Sequence, residues 1–349
     1  MISTVTHILP LAKIRRQRML PLPGTVLVRA GQSVQATDVI AQANLHPEHQ
    51  VLDVARGLGV APDKANNFIK REIGDPVEAG SVIAEKGGIG RVIRAPSSGR
   101  IVAISGGQVL LEINSHPYQL LAGISGQVSQ VETDYGAVIE SNGGWIQGIW
   151  GNNKIAMGNL LVLAEEPDHI LTATESPPDQ SGSIIFAGHC KEPGVFEMGV
   201  TNQWRGLILG SMASLLVPAA RKTPYPIIIL DGFGEIPINP VAHKLLSTSA
   251  QREVVVNSMT YDLNTGERPE ITIPMEDVSS PIPIDLQRLS QGQQVKLLHT
   301  PMIGAVGTIH SLLPGLTCFP NGIRAQGVQI TFEDGENIAV PVANIEVLG

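Results

Sequence analysis

Short apolar runs separated by glycine, proline and polar turns dominate the first part of the chain. Residues 20–41 and 73–84 share one pattern, in which a glycine and a polar residue precede a valine and a β-branched pair closes on alanine. Glycine supplies positive φ and proline presets φ at turn corners, so the pattern predicts brief strands joined by tight turns. Two such copies are typical of a sandwich built from two similar halves.

A helical pattern separates the two copies. Apolar residues recur there on one helical face: Val51, Val54, Ala55 and Leu58. Gly59 punctuates this run, and Pro62 suits the first turn of a second helix. We therefore expect a helical hairpin, at about residues 46–70, inserted in a sandwich that spans residues 1–122.

Alternating strands are expected to continue as a β extension over residues 123–164. Trp145 and Trp150 stand beside glycines near its end and would occupy opposite faces of one strand. They could stack a ligand ring, but strand aromatics usually fill a core or a cross-strand pair, which is the interpretation we favour. Residues 165–182 contain prolines and few apolar residues, which indicates a linker.

From residue 183 to 262, uniformly apolar strands alternate with helical segments. The predicted strands are 184–187, 206–209, 226–230 and 253–256, and the predicted helices are 195–203, 212–220 and 241–250. This alternation favours a parallel sheet covered on both faces, which is a small three-layer α/β domain. Ligands bind such sheets beyond the carboxyl ends of the strands. The loops there contain the ligand-edge candidates, which are His189, Cys190, Ser211, Asp231 and Glu235.

The chemistry of this edge is open in the sequence. His189 and Cys190 suggest a base and a thiolate, but adjacent residues of an extended segment point to opposite faces. A metal site from His189, Cys190 and Asp231 lacks the paired spacings of zinc motifs. Neither a dinucleotide fingerprint nor a phosphate-binding P-loop follows any predicted strand. We therefore favour a binding or structural edge over catalysis, with no catalytic residue, metal or cofactor assigned.

The tail, residues 289–349, follows a predicted linker at 263–288. Its alternating strands include a hairpin turn at residues 333–336. The spacing of Gly304 and Gly307 resembles the KOW motif of transcription elongation factors and some ribosomal proteins, carried on an SH3-like β-barrel. That resemblance implies a module able to touch RNA, polymerase or ribosome. This segment contains two cations, Lys296 and Arg324, and four acidic residues, so its net charge is negative. Phosphate binding needs clustered cations, so we expect the tail to contact protein.

Residues 74–85 and 95–102 of the head also resemble a known fold. They resemble the barrel-sandwich hybrid of biotinyl and lipoyl carriers, a fold that also forms the entry domain of related quinone-reductase and electron-transport subunits in membrane complexes. Carriers present a lysine at a hairpin tip. The link 85–92 has no Met-Lys-Met-like tip, so we expect Lys86 to be unmodified. An iron–sulfur relative would need clustered cysteines, and this chain has only Cys190 and Cys318.

Composition supports a multidomain, β-rich α+β protein. The 349 residues include 37 glycines and 25 prolines, with only 4% aromatic residues, which favours strands and turns. Two distant cysteines indicate a reducing compartment. No apolar run approaches the roughly 20 residues needed to span a bilayer. The first residues also lack the apolar core of a signal peptide, so we expect a cytoplasmic, soluble protein without a membrane span.

Charge is uneven along the chain. Through residue 120 the net charge is +4, which leaves −12 for the remainder of a chain whose total is −8. The densest basic cluster is Arg15, Arg16 and Arg18, interpreted as a solvated edge leading into the first strand in preference to an RNA or lipid contact.

Three functions follow as hypotheses. The first is a non-enzymatic, multi-module interaction or scaffold protein that organises a complex through a protein partner or self-association. The second is an accessory or cofactor-handling subunit of a redox or carrier-type enzyme system, with a ligand at the α/β edge. The third, which the charge disfavours, is a KOW-type nucleic-acid, ribosome- or polymerase-associated factor.

Overall fold

The fold is β-rich, as predicted. The computed structural model describes residues 2–44, 48–87, 91–113, 117–175, 180–261, 267–275, 282–284, 286–299 and 302–349. Strands hold 47% of these residues and helices 12%, distributed over several sheets. Parts of the predicted head link (88–90), hairpin (46–47) and linkers (176–179, 263–266, 276–281 and 285) lie outside the described residues.

The largest sheet in the described part of the chain has twelve strands. In hydrogen-bonded order, ten of them are Trp150–Gly151, Ile227–Phe233, Gly206–Met212, Ile184–Cys190, Ile155–Val162, Glu253–Asn257, Glu270–Pro274, Gly136–Gln147, Gly126–Glu132 and Ser33–Val34. Ile170–Leu171 pairs beside Ile184–Cys190, and the long strand Ile8–Met19 pairs with Gly136–Gln147. The predicted α/β segment therefore shares one sheet with strands of the head.

Four neighbouring strands of this sheet are parallel: Ile155–Val162, Ile184–Cys190, Gly206–Met212 and Ile227–Phe233. Their side chains alternate between two cores, as a strand's period of two requires. Phe186 packs in the core that contains residues of the helix Pro240–Ser247. Ala187 packs in the other, with residues of the helix Gly194–Thr201. Helices therefore cover both faces of the parallel strands.

Two expectations about this sheet are wrong. Glu253–Asn257 runs antiparallel to Ile155–Val162 and to Glu270–Pro274, whereas the sequence predicted it as another parallel strand. The segments predicted as linkers supply Ile170–Leu171 and Glu270–Pro274. The direction of a strand depends on where its partner lies, and these partners are far apart in sequence, so a local pattern does not reveal it.

The parallel strands also extend further than predicted. They continue through Cys190, Met212 and Phe233, so most of the expected strand-end loops are strand. In Ile184–Cys190, glycine permits the pairing with Ile170–Leu171, because a Cβ on Gly188 would collide with the His169 carbonyl. The helix predicted from residue 212 is instead a 3₁₀ turn, Ser214–Leu216, followed by Val217–Ala220. Within the described residues, no helix has the length and apolar character needed to cross a bilayer.

The head forms smaller sheets. One has the strands Glu48–Asp53, Gln108–Ile113, Gly99–Ser105 and Pro76–Val77, a second has Tyr118–Leu121, Val39–Ala43 and Thr25–Val26, and a third has Val82–Glu85 and Val92–Arg94. The two sequence copies contribute to different cores. Val34 and Ile40 of the first copy pack in one, and Val77 and Ile83 of the second pack in another.

The predicted helical hairpin is shorter than expected. Its helices are Val54–Leu58, Pro62–Ala65 and the 3₁₀ turn Asn66–Phe68, with Gly59 in the left-handed conformation and Pro62 in the first turn, as predicted. Val51 is instead part of the strand Glu48–Asp53 and is 56% exposed. Cross-strand pairing with Gln108–Ile113 outweighs its helical spacing.

The tail forms a seven-stranded sheet among the described residues. The order is Leu286–Arg288, Ile2–Thr6, Ile345–Leu348, Gln294–Leu297, Val306–Leu312, Gly327–Thr331 and Asn337–Pro341. The predicted turn at 333–336 is confirmed between its last two strands. A 3₁₀ turn, Val342–Asn344, precedes Ile345–Leu348, and a small hairpin of Thr317–Cys318 and Arg324–Ala325 extends from the sheet. The first strand of the chain is thus part of the tail.

The two glycines of the KOW-like spacing have separate structural causes. Gly304 adopts φ +82°, a left-handed conformation that other residues rarely accept. Gly307 lies in a strand where a Cβ would stand 3.0 Å from the Thr331 carbonyl oxygen and closer still to Ile330 Cγ2. Close packing therefore requires glycine at residue 307.

We expect Gly307→Ala to lower the free energy of unfolding by about 1–3 kcal/mol, because the added methyl overpacks the tail core. Gly87→Ala is the matched control, since a Cβ there meets nothing within 4 Å, and it should change stability by no more than about 0.5 kcal/mol. Urea unfolding measures both. Equal stabilities of the two variants would contradict the packing explanation.

Candidate functional site

The carboxyl ends of the parallel strands bring several predicted site residues together. His189 lies opposite Ser211 in the pairing of Ile184–Cys190 with Gly206–Met212, and Ser211 lies opposite Gly232 in the next pairing. The segment that follows Gly232 carries Glu235 and Ile236 back over this edge. Strand register, which a local sequence pattern does not reveal, therefore places His189 and Ser211 side by side.

Hydrogen bonds orient the His189 ring. Its Nδ1 is 2.9 Å from Ser211 Oγ, and that hydroxyl donates to the Ile236 carbonyl oxygen at 2.8 Å. A hydroxyl has one proton, so Ser211 must accept from His189, whose neutral ring then carries its proton on Nδ1. Burial lowers the pKa of His189, which the nearby Glu235 only partly offsets. The ring is therefore neutral at pH 7, with the lone pair on Nε2.

A cleft of about 290 Å³ opens beside this ring. Its lining residues come from three places, which are residues 167–170, the end of Ile184–Cys190 and the segment after Gly232. They are Pro167, Asp168, His169, Ile170, His189, Glu235, Ile236 and Pro237. Asp168 and Glu235 are exposed, whereas His189 is only 6% exposed. Sequence reasoning found His189 and Glu235 but missed Asp168 and His169, because the segment that carries them was interpreted as a linker.

His169 has both ring nitrogens occupied. Its Nδ1 accepts from the Gly188 amide at 3.2 Å, so Nε2 carries the proton and donates to Glu175 at 3.0 Å. The Gly188 contact anchors the segment before Ile170–Leu171 to the parallel strands. His169 is thus a structural wall of the cleft.

Cys190 does not belong to this cleft. It is fully buried in the core on the other face of the strand, with its thiol directed at the Glu192 carbonyl oxygen 3.6 Å away. Burial raises the pKa of the thiol to about 11. Cys190 is therefore a thiol at neutral pH, and a base–thiolate pair with His189 does not form.

Asp231 belongs to a buried ion-pair network instead of the cleft. Its Oδ2 accepts from the Asn239 amide at 2.9 Å, and its Oδ1 lies 3.3 Å from the Lys296 ammonium. Lys296 also lies 3.2 Å from a carboxylate oxygen of Glu346. Glu346 in turn accepts from Arg268 at 2.9 Å. This network joins the parallel sheet to two strands of the tail, so the role of Asp231 is structural.

Burial and ion pairing have opposite effects on the pKa values of the network. Burial opposes the charge of Lys296, but Asp231 and Glu346 outweigh it and raise the Lys296 pKa. Burial likewise opposes the charge of Glu346, yet Lys296, Thr6 and Arg268 lower its pKa. Burial prevails at Asp231 and raises its pKa despite Lys296. No sequence signal indicated that Lys296 is buried, because a lysine between two apolar strand residues normally points outward.

The basic cluster is not a solvated edge. Arg16 donates to Glu270 at 3.0 Å and stacks over Trp145, 4.7 Å from the ring centroid. Arg18 is 7% exposed and donates to the Leu121 carbonyl oxygen. Only Arg15 of the three is exposed. The cluster lies in the long strand Ile8–Met19, whose partner Gly136–Gln147 also pairs with Glu270–Pro274, the strand that carries Glu270.

The favoured interpretation of Trp145 as a core residue agrees with its position. Its side chain is 2% exposed and its indole N–H donates to Glu270 at 2.8 Å. It also stacks on His7, with ring centroids 4.5 Å apart. Trp150 is half-buried in a separate short strand, in edge contact with Phe233.

Metal binding by the set considered from the sequence does not fit the geometry. In the described ranges, no group of three or more His, Cys, Asp or Glu side chains is placed to hold a metal ion. His189 lines the cleft, Cys190 is in the core, and Asp231 is bound to Lys296. These three side chains therefore face different surroundings.

Comparison with known proteins assigns no family. No protein-family model matches the chain, and no curated protein matches it. The cleft contains His189 with a serine behind it, His169 with both ring nitrogens already bonded, and two exposed carboxylates.

The tautomer of His189 is testable by NMR. We expect its ring to titrate with a midpoint below 6.5 and its neutral form to carry the proton on Nδ1, because burial disfavours the cation and Ser211 accepts from Nδ1. Imidazole ¹⁵N shifts report the protonated nitrogen, and the signal missing in His189→Gln assigns the residue. A proton on Nε2, or a midpoint above 6.5, would contradict this description.

The network predicts a strong and partly reversible loss of stability. Lys296→Met should lower the free energy of unfolding by about 3–5 kcal/mol, because it leaves a buried carboxylate unpaired. Adding Asp231→Asn should recover part of the loss, since the amide oxygen still accepts from Asn239 and the buried charge is gone. Lys222→Met, at an exposed lysine, is the control. Denaturant unfolding that shows no recovery in the double variant would contradict the pairing of Asp231 with Lys296.

Proposed function

We propose that the chain is a non-enzymatic, multi-module interaction protein that organises a complex. In this proposal the head is a barrel-sandwich hybrid, the middle a parallel three-layer α/β unit and the tail an SH3-like barrel. The buried network of Asp231, Lys296 and Glu346 carries the proposal. It fixes the tail against the parallel sheet, and it occupies Asp231, one of the two carboxylates that the sequence nominated at the ligand edge. A rigid frame of this kind suits a protein that holds partners at fixed positions.

An apolar surface on the tail supports a protein contact. The extension that begins at the end of Val306–Leu312 and contains the small hairpin exposes three large apolar side chains: Leu312 (45%), Leu316 (63%) and Ile323 (55%). Phe319 of the same extension is buried, and its ring packs close to Gly327. These three side chains lie within residues 312–323, and aliphatic side chains exposed together on one extension are what a contact surface needs.

The tail's charge disfavours the nucleic-acid alternative. Lys296 is buried in its ion pairs, which leaves Arg324 as the other cation noted in the tail sequence. A cleft of about 510 Å³ beside Gly307 is bordered by Glu333 and Asp334. Carboxylates at this position repel phosphates, whereas RNA binding through the tail would need clustered cations.

The accessory-subunit alternative is favoured by one observation, the cleft beside His189. It lies at the carboxyl ends of parallel strands, where such sheets bind ligands. Ligand binding there is compatible with a scaffold role. The two proposals differ in whether the main function is to hold protein partners or to handle a bound small molecule.

We expect the chain purified from its own host to run in native mass spectrometry as a stoichiometric complex with itself or with another protein. Leu316→Glu combined with Ile323→Glu should weaken that association roughly tenfold or more, because charge is poorly tolerated in an apolar contact. Ile73→Glu, at an apolar head residue that is 63% exposed, is the matched control and should have no effect.

Two results would count against the proposal. A chain that stays monomeric and partner-free at micromolar concentration would refute the scaffold role. RNA or DNA bound at physiological salt more tightly than the non-specific range of roughly 10⁻⁴–10⁻⁶ M would favour the KOW-type alternative instead.

A further inference from the structure

The free polar side-chain groups that line the cleft beside His189 are hydrogen-bond acceptors. Asp168 and Glu235 are carboxylates, which accept only. His169 contributes no free group, because its ring already bonds the Gly188 amide and Glu175. Lys191 acts electrostatically on His189 but is not among the lining residues. A ligand that satisfies this cleft must therefore bring donors.

His189 adds a further acceptor, accessible from the cleft, to these exposed carboxylates. The residue is 6% exposed and lines the cleft, and its Nδ1 is committed to Ser211. Its Nε2 has no hydrogen-bond partner among the residues that the structure describes. Burial lowers the pKa of the ring, so Nε2 keeps its lone pair at neutral pH. An acceptor held in place by a serine and left unpartnered indicates a position for an N–H donor.

The remaining lining residues are apolar, and the cleft is small. They are Pro167, Ile170, Ile236 and Pro237, and the cleft has a volume of about 290 Å³. Aliphatic walls favour a ligand with a short hydrocarbon body over a bare metal ion, and the described residues offer no three-ligand metal group.

We propose that this cleft binds a small organic cation, a primary ammonium on a short aliphatic body. The ammonium donates to His189 Nε2 and is attracted by Glu235 and Asp168, while the hydrocarbon contacts the proline and isoleucine walls. The cleft is distinct from the apolar extension of the tail, so this proposal and the scaffold role stand or fall separately.

The test is an NMR titration of the full chain at pH 7.5 with three matched probes: n-butylamine, butan-1-ol and butanoate. We expect saturable binding of the amine, with a shift of the His189 Nε2 signal, and binding of the alcohol and the carboxylate at least roughly tenfold weaker. Binding of the three probes with equal affinity, preference for butanoate, or no saturable binding of the amine would overturn the proposal.

Two variants and one competitor complete the test. Glu235→Gln and Asp168→Asn, both at exposed residues, should each weaken amine binding about two- to fivefold, as expected of solvent-exposed charge pairs. Glu78→Gln, at an exposed carboxylate of the head, should leave it unchanged. If Zn²⁺ alone binds at His189 and the amine does not, the cleft is a metal site and the organic-cation assignment is wrong.

Discussion

The position of the tail on the parallel sheet depends on the ion pairs of one buried lysine, Lys296, with Asp231 and Glu346. Moving a lysine out of water costs several kcal/mol unless carboxylates lie close enough to compensate its charge. Asp231 and Glu346 do so from two separate parts of the fold, at 3.3 and 3.2 Å. The tail must therefore lie against the end of the parallel sheet for the charge to be compensated, which makes a specific docking geometry favourable.

The same network determines which chemistry is possible at the strand ends. Asp231 stands near the carboxyl end of a parallel strand, the edge where such sheets bind ligands, but here it is committed to Lys296 and the backbone amide of Asn239. Cys190 is directed into the core by the alternation of its strand. What remains at the edge is His189, oriented by Ser211 and open on one nitrogen. Such a group accepts a hydrogen bond well, which suits binding.

Much of the local structure could be predicted from the sequence. The apolar runs that begin at residues 184, 206 and 227 are strands, because a run of consecutive apolar residues this short is typical of a strand buried on both faces. Gly59 and Pro62 end and begin helices for reasons that belong to their own backbones. The β-rich class and the turn at residues 333–336 follow from equally local chemistry.

Only the tertiary structure decided which of these elements meet. Nothing in the pattern around residue 169 shows that a segment resembling a linker pairs with Ile184–Cys190 and walls the cleft. Likewise, Lys296 is indistinguishable in sequence from a lysine on the solvent face of a strand. Strand register, strand direction and the pairing of buried charges join residues far apart in the chain, so they depend on the whole fold. The sequence by itself therefore determined the buried parallel strands, the turns and the helix ends at Gly59 and Pro62, and it nominated His189. The partners of His189, Asp231 and Lys296 were decided by packing.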